Sequence, residues 1–127
     1  MEFKEFTYVE FIDAIEQNGI EQAFSALFKG PRGGIIYSNS SPDRTIGYAC
    51  AVGQAAYNLG VDAYYLQEEG YSSEYDIVIT TIDLNDGQHM PLKEIAAKLR
   101  NIYSDRLNET LIAPIVDYST VKVKKVK

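Results

Sequence analysis

Residues 41–60, SPDRTIGYACAVGQAAYNLG, constrain the fold of this chain more than any other stretch. Tyr48, Val52, Ala55 and Leu59 recur at helical spacing as one apolar stripe. Ala49, Gly53, Ala56 and Gly60 make a second stripe of small residues beside it. Only Arg44, Gln54 and Asn58 mark a narrow polar face. A helix that is apolar around most of its circumference has to be enclosed, so the spacing predicts a buried central helix. Ser41 stands at the N-cap position, Pro42 at the first helical position and Asp43 in the first turn; Gly60 is the expected stop. Gly47 and Gly53 each cost about 1 kcal/mol against alanine inside a helix, which implies a close-packed neighbour.

The 127 residues suffice for one domain with its own core, and 46% of them are hydrophobic, the range of globular chains. No run of 18 apolar residues is present, so no membrane-spanning helix is expected. The acidic N-terminus, MEFKEFTYVEF, has no signal-peptide core, and one cysteine makes no internal disulfide; both point to the cytoplasm. The net charge of -6 is uneven. Residues 62–86 carry Asp62, Glu68, Glu69, Glu74, Asp76, Asp83 and Asp86 without one lysine or arginine. Nucleic-acid binding by the body of the chain is therefore not expected. Residues 122–127 form a lysine-rich tail after a single domain at 1–121.

Thr7 and Glu10 have the spacing of a capping box, with Phe6 and Phe11 at the hydrophobic-staple positions. Tyr8, Phe11, Ile12 and Ile15 give the first helical stripe, and Ile20, Ala23, Phe24, Leu27 and Phe28 a second. Together they predict an N-terminal helical pair. Residues 35–37 read as a short strand, and 61–67 fit either a strand or another helical turn. Residues 76–82, DIVITTI, have the strongest strand composition in the chain. Leu84-Asn85-Asp86-Gly87 reads as a turn. Pro91 opens an amphipathic helix over 91–107, and Pro114 makes 111–116 an edge strand or an extended arm. The expected fold is α/β of the α+β kind. It is one compact domain with a helical pair, a buried central helix, a small antiparallel or mixed sheet, and a C-terminal helix and strand.

GYACAVGQAAYNLG resembles the Cys-Ala-(Leu or Val)-Gly helix of small uncharacterised proteins of phages and bacteria. In those, as here, a Leu-Asn-Asp turn (Leu84-Asn85-Asp86) precedes an amphipathic helix with Glu-Ile-Ala (Glu94-Ile95-Ala96). The resemblance covers residues 45–107. It implies a mobile-element origin and brings no catalytic assignment.

Residues 29–44 gather cations in an otherwise acidic chain. Gly33 and Gly34 permit backbone N–H groups to converge on an anion, and Arg32 supplies a rigid fork of donors. Lys29 and Arg44 flank them, Ser41 adds a hydroxyl at the expected helix N-terminus, and Tyr37 and Tyr48 offer flat stacking surfaces. The other reading of this stretch is a glycine turn whose arginines pair with nearby acids. Cys50 and His89 are the only thiol and the only imidazole, too few ligands for a structural zinc. With Cys50 inside the expected helix, nothing lowers its pKa, so no catalytic residue, cofactor or metal is assigned. Ten tyrosines, with Tyr57, Tyr64, Tyr65, Tyr71 and Tyr75 close together, suggest a homo-oligomer. The cation-bearing stretch points to a non-catalytic protein that sequesters a small anionic, nucleotide-like signal, and the resemblance implies a phage-type counter-defence role in the host cytoplasm. One alternative is an acidic protein–protein inhibitor that mimics a polyanion on a basic host protein. The other is a Cys50-dependent enzyme.

Overall fold

The capping box forms as its spacing predicts. Glu10 N–H donates to Thr7 Oγ1 at 3.2 Å, and Thr7 N–H donates to Glu10 Oε1 at 2.9 Å. It starts α1 (Tyr8–Ile15), which follows directly on β1 (Phe3–Thr7). The computed structural model describes residues 2–16, 19–36, 45–72, 75–119 and 121–123. Four short strands come next: β2 (Glu21–Gln22), β3 (Phe28–Lys29), β4 (Ile35–Ile36) and β5 (Thr45–Ile46). After them come β6 (Tyr48–Ala49), α2 (Ala51–Leu59), α3 (Ala63–Tyr71) and α4 (Asp76–Ile82). A π-helical turn (Asp83–Gly87) leads to α5 (Leu92–Ile102), and β7 (Thr110–Pro114) and β8 (Lys122–Val123) are the last described elements. The architecture is α+β in a single domain. No helix among the described residues is long and apolar enough to cross a membrane.

The central helix is buried as expected, and α1, α3 and α4 pack around it. It is shorter than the periodicity implies. Residues 45–46 and 48–49 are β5 and β6, joined by Gly47, and the helix starts at Ala51 with Cys50 as N-cap. Two long-range contacts decide this. Gly47 lies so close to the β3–β4 hairpin that a Cβ there would meet Pro31 Cα at 2.5 Å. The N–H of Ala51, in the first turn, is capped by the distant Asn85 side chain at 3.0 Å. A helix begun at Ser41 would forfeit both.

The N-terminal helical pair is also corrected. Only α1 is helical; Ile20, Ala23 and Phe28 reach the core from extended chain. Ala23 N–H donates to Ala49 O at 3.0 Å, and Ser25 has a positive φ of 63° that ends any helical run. Residues 76–82 are a helix instead of a strand. Ile77, Val78 and Thr81 fall on one buried face, and the hydroxyls of Thr80 and Thr81 bond the carbonyls four residues earlier, at 2.9 and 2.7 Å. Gly70 of α3 lets Val78 close in, where a Cβ would stand 2.9 Å from Val78 Cγ1. Packing overrides strand propensity in a run of seven residues. The turn expected at 84–87 instead prolongs this helix with π geometry. Of residues 61–67, Ala63 onward is helix, with Asp62 capping the Tyr65 N–H at 3.2 Å, while Val61 makes an isolated antiparallel bridge to Ile115. The helix expected over 91–107 ends at Ile102.

The expected edge strand pairs antiparallel with β1, Phe3 opposite Pro114 and Thr7 opposite Thr110. Tyr75 closes its outer edge, its hydroxyl donating to Ile112 O at 2.9 Å and accepting from Ile112 N–H at 3.2 Å. Lys122 and Val123, from the lysine-rich end, pair in parallel with Thr45 and Ile46. The main sheet is mixed, in the order β2-β6-β3-β4, with β2 and β6 parallel and the other pairs antiparallel.

Candidate functional site

Register across the mixed sheet sorts its eight residues into two rows. Side chains paired across strands share a face. Gln22, Ala49, Phe28 and Ile36 form the inner row, and the last three are buried. The outer row is therefore Glu21, Tyr48, Lys29 and Ile35, in that order across the sheet. Glu21 and Ile35 are exposed, and Tyr48 and Lys29 half-buried. An acid, a phenol ring, an amine and an apolar side chain stand side by side.

The β3–β4 hairpin extends this row. Gly30 N–H donates to Gly34 O at 2.7 Å, and Gly33 N–H to Gly30 O at 2.9 Å, with Gly33 at φ +89°. These two N–H groups close the turn and are not free to cradle an anion. The hairpin thus offers its Arg32 side chain, which is exposed and has no ion pair among the described residues. Beside it lies an open hollow of about 370 Å³ lined by Arg32, Ile35 and Thr45 among others. Lys29 likewise has no ion pair among the described residues.

The structure thus brings together Lys29, Arg32, Gly33, Gly34 and Tyr48. Tyr37, Ser41 and Arg44 lie outside the described residues. The dipole of α2 acts at Cys50 and Ala51, not at Ser41. Sequence reading missed Glu21 and Ile35, because strands of two residues leave no alternation to detect.

Cys50 is not mid-helix but the N-cap of α2, where its Sγ accepts from Gly53 N–H at 3.4 Å. A helix N-terminus favours a thiolate. Burial acts the other way and dominates, pushing the thiol up to about 12. His89 has φ 51° and stacks on Phe24 with ring centroids 4.6 Å apart. Among the described residues no hydrogen bond joins it to Cys50, and no group of three or more His, Cys, Asp or Glu is placed to hold a metal.

Around Cys50 lies a largely buried polar cluster. Asn85 Oδ1 accepts from Ala51 N–H at 3.0 Å and from Gln22 Nε2 at 2.9 Å. Asn85 Nδ2 donates to Ala23 O at 2.9 Å and to Asp86 Oδ1 at 2.7 Å. Gln54 Nε2 donates to Ile20 O and Ala49 O. These bonds fasten β2, β6 and the π-helical turn to the start of α2, and so hold the outer row in register.

The acids of 62–86 do not form one free face. Asp62 caps α3, and Asp86 Oδ1 accepts from Ser25 N–H at 2.9 Å. Asp76 binds Arg106 at 2.7 Å and accepts from Tyr8 Oη at 2.8 Å. Partial burial raises the Asp76 carboxyl, but the bonds from Arg106 and Tyr8 outweigh it and hold the group below the usual carboxylate range. Arg106 also pairs with Glu109 at 2.5 Å and lies over the rings of Tyr8 and Tyr103. Glu109 and Asp76 raise the Arg106 guanidinium further above its ordinary value. This network ties the chain after α5 to α1 and α4.

No family model, no curated protein and no solved structure matches the chain.

Proposed function

We propose that this chain is a non-catalytic binding protein that captures a small anionic, nucleotide-like ligand on the outer face of its mixed sheet. The observation that carries the reading is the outer row. Tyr48 offers a ring to stack on, Lys29 stands directly across from it, and Arg32 projects from the adjoining hairpin. Base stacking on an aromatic side chain contributes about 1–3 kcal/mol. Arginine and lysine then supply charge-assisted bonds to phosphate. Lys29 and Arg32 are the only cations between Glu5 and Tyr37, and neither is engaged in an ion pair among the described residues, so both are available to an anion.

Binding without turnover is sequestration, and with the phage-protein resemblance it gives a counter-defence role in a host cytoplasm. Self-association belongs to the same reading. Phe3 and Tyr65 meet edge-to-face at 6.0 Å, Ile112 is exposed on the same ribbon face as Phe3, and Tyr64 and Tyr71 are exposed on α3.

A thermal-shift titration with nucleoside mono- and diphosphates and cyclic nucleotides tests the reading. A ligand at 100 times its Kd stabilises by about 2.7 kcal/mol, a readily measured rise in Tm. The variant carrying both Lys29→Ala and Arg32→Ala is expected to lose that rise while keeping the unliganded Tm. No shift with any nucleotide, or an unchanged shift in the double variant, overturns the proposal.

A further inference from the structure

We propose that Glu21 selects the base of the bound nucleotide, and that the site prefers guanine. The inference rests on the nucleotide reading above and goes beyond it, because Glu21 plays no part in capturing an anion. In the outer row, Glu21 is the register partner of Tyr48 on β2, and Lys29 is the register partner of Tyr48 on β3. The order is therefore carboxylate, ring, ammonium, with the ring in the middle. A ligand lying along the row has its π system over Tyr48, its anionic end at Lys29 and Arg32, and its opposite edge at Glu21.

That opposite edge has to donate. An ionised carboxylate is acceptor-only, with two oxygens side by side. Guanine presents two adjacent donors, N1–H and the 2-amino group, which match the two oxygens as a bidentate pair. Adenine presents one donor beside the N1 lone pair, and uracil presents one N–H between two carbonyls. Both set an acceptor against the carboxylate, an unfavourable contact that discriminates as much as the favourable one does. The spacing excludes a simpler zwitterion. Glu21 and Lys29 are two strand spacings apart, about 10 Å. A free amino acid carries its ammonium and carboxylate on one carbon and does not bridge that gap. A nucleotide, with its sugar between base and phosphate, does.

Glu21 is exposed, and none of the described residues bonds its side chain, so changing it leaves the fold intact. The test is calorimetric titration of the full chain with GMP, IMP, AMP and UMP, for the natural sequence, Glu21→Gln and Lys29→Ala. GMP is expected to bind about tenfold or more tighter than AMP or UMP, the usual scale of one bidentate base contact. IMP, which keeps N1–H and lacks the 2-amino group, falls between. Glu21→Gln abolishes the GMP preference while AMP binding is kept or improved. Lys29→Ala weakens all four alike and leaves the ratios unchanged. If the nucleotides bind without a GMP preference, or if Glu21→Gln keeps the preference, base selection by Glu21 is wrong and nucleotide capture still stands. If none of the four binds, base selection falls, and nucleotide capture falls with it when the diphosphates and cyclic nucleotides give no thermal shift either.

Discussion

Replacing Gly53 with alanine tests whether close backbone approach fixes the start of the central helix. By helix propensity alone the change is favourable by up to about 1 kcal/mol. The structure predicts the opposite sign. A Cβ on Gly53 would stand 2.4 Å from Leu27 O and 3.1 Å from Phe28 Cε1. Leu27 O is backbone and already accepts from Cys50 N–H at 3.0 Å. The distance has to open beyond 3.0 Å, which moves β3 away from the helix start and weakens that bond. Overpacking of a tight core costs about 1–3 kcal/mol, and a weakened buried hydrogen bond adds about 1 kcal/mol. Set against the propensity gain, the net loss is about 2 kcal/mol. For a chain of this size that lowers Tm by roughly 6–10 °C. Urea unfolding followed by circular dichroism measures it, and Gly53→Leu should cost more. Gly34→Ala is the control, with nothing within 4 Å of its Cβ and no positive φ, and it is expected to be neutral or slightly stabilising. A Gly53→Ala midpoint equal to or above that of the natural sequence would refute the reasoning.

Asn85→Leu strands the buried Ala51 N–H and Ala23 O together, and is expected to cost about 2–4 kcal/mol in urea unfolding; a loss below about 1 kcal/mol contradicts the clamp assigned to Asn85. Native Cys50 is expected to react with iodoacetamide at pH 8 at least about 100-fold more slowly than in denaturant, since burial keeps the thiol protonated; equal rates would mean an open, activated thiol. Asp76 has a folded-state pKa below its unfolded value, so its contribution is full above the unfolded pKa and disappears as pH falls through the folded one. Arg106→Leu should accordingly lower Tm at pH 7 and by progressively less below pH 4, and a difference that is the same at pH 7 and pH 3 would exclude the ion pair as its cause. Light scattering behind a sizing column is expected to give a multiple of 14.2 kDa at micromolar concentration, and a reduced mass for Phe3→Asp; monomer throughout removes the self-association proposal.

Some of this protein was determined locally, within a few residues of sequence. The capping box of Thr7 and Glu10 needs only its own turn, and it forms. The apolar periodicity of residues 51–59 demands enclosure whatever encloses it, and the helix is enclosed. Pro91 and the stripe of Leu92, Ile95 and Leu99 suffice for α5. The cations of 29–44 were legible because charge needs no fold to be counted. What tertiary structure alone decided concerns contacts that sequence neighbours do not make. The start of α2 moved from Ser41 to Cys50 because Gly47 abuts Pro31 and because the cap comes from Asn85, 34 residues away. DIVITTI became helix because Ile77, Val78 and Thr81 bury one helical face, with Gly70 of α3 admitting Val78. The outer row is the clearest case. Glu21, Lys29, Ile35 and Tyr48 come from four separate two-residue strands, and only hydrogen-bond register between those strands sets an acid, a ring and an amine in line.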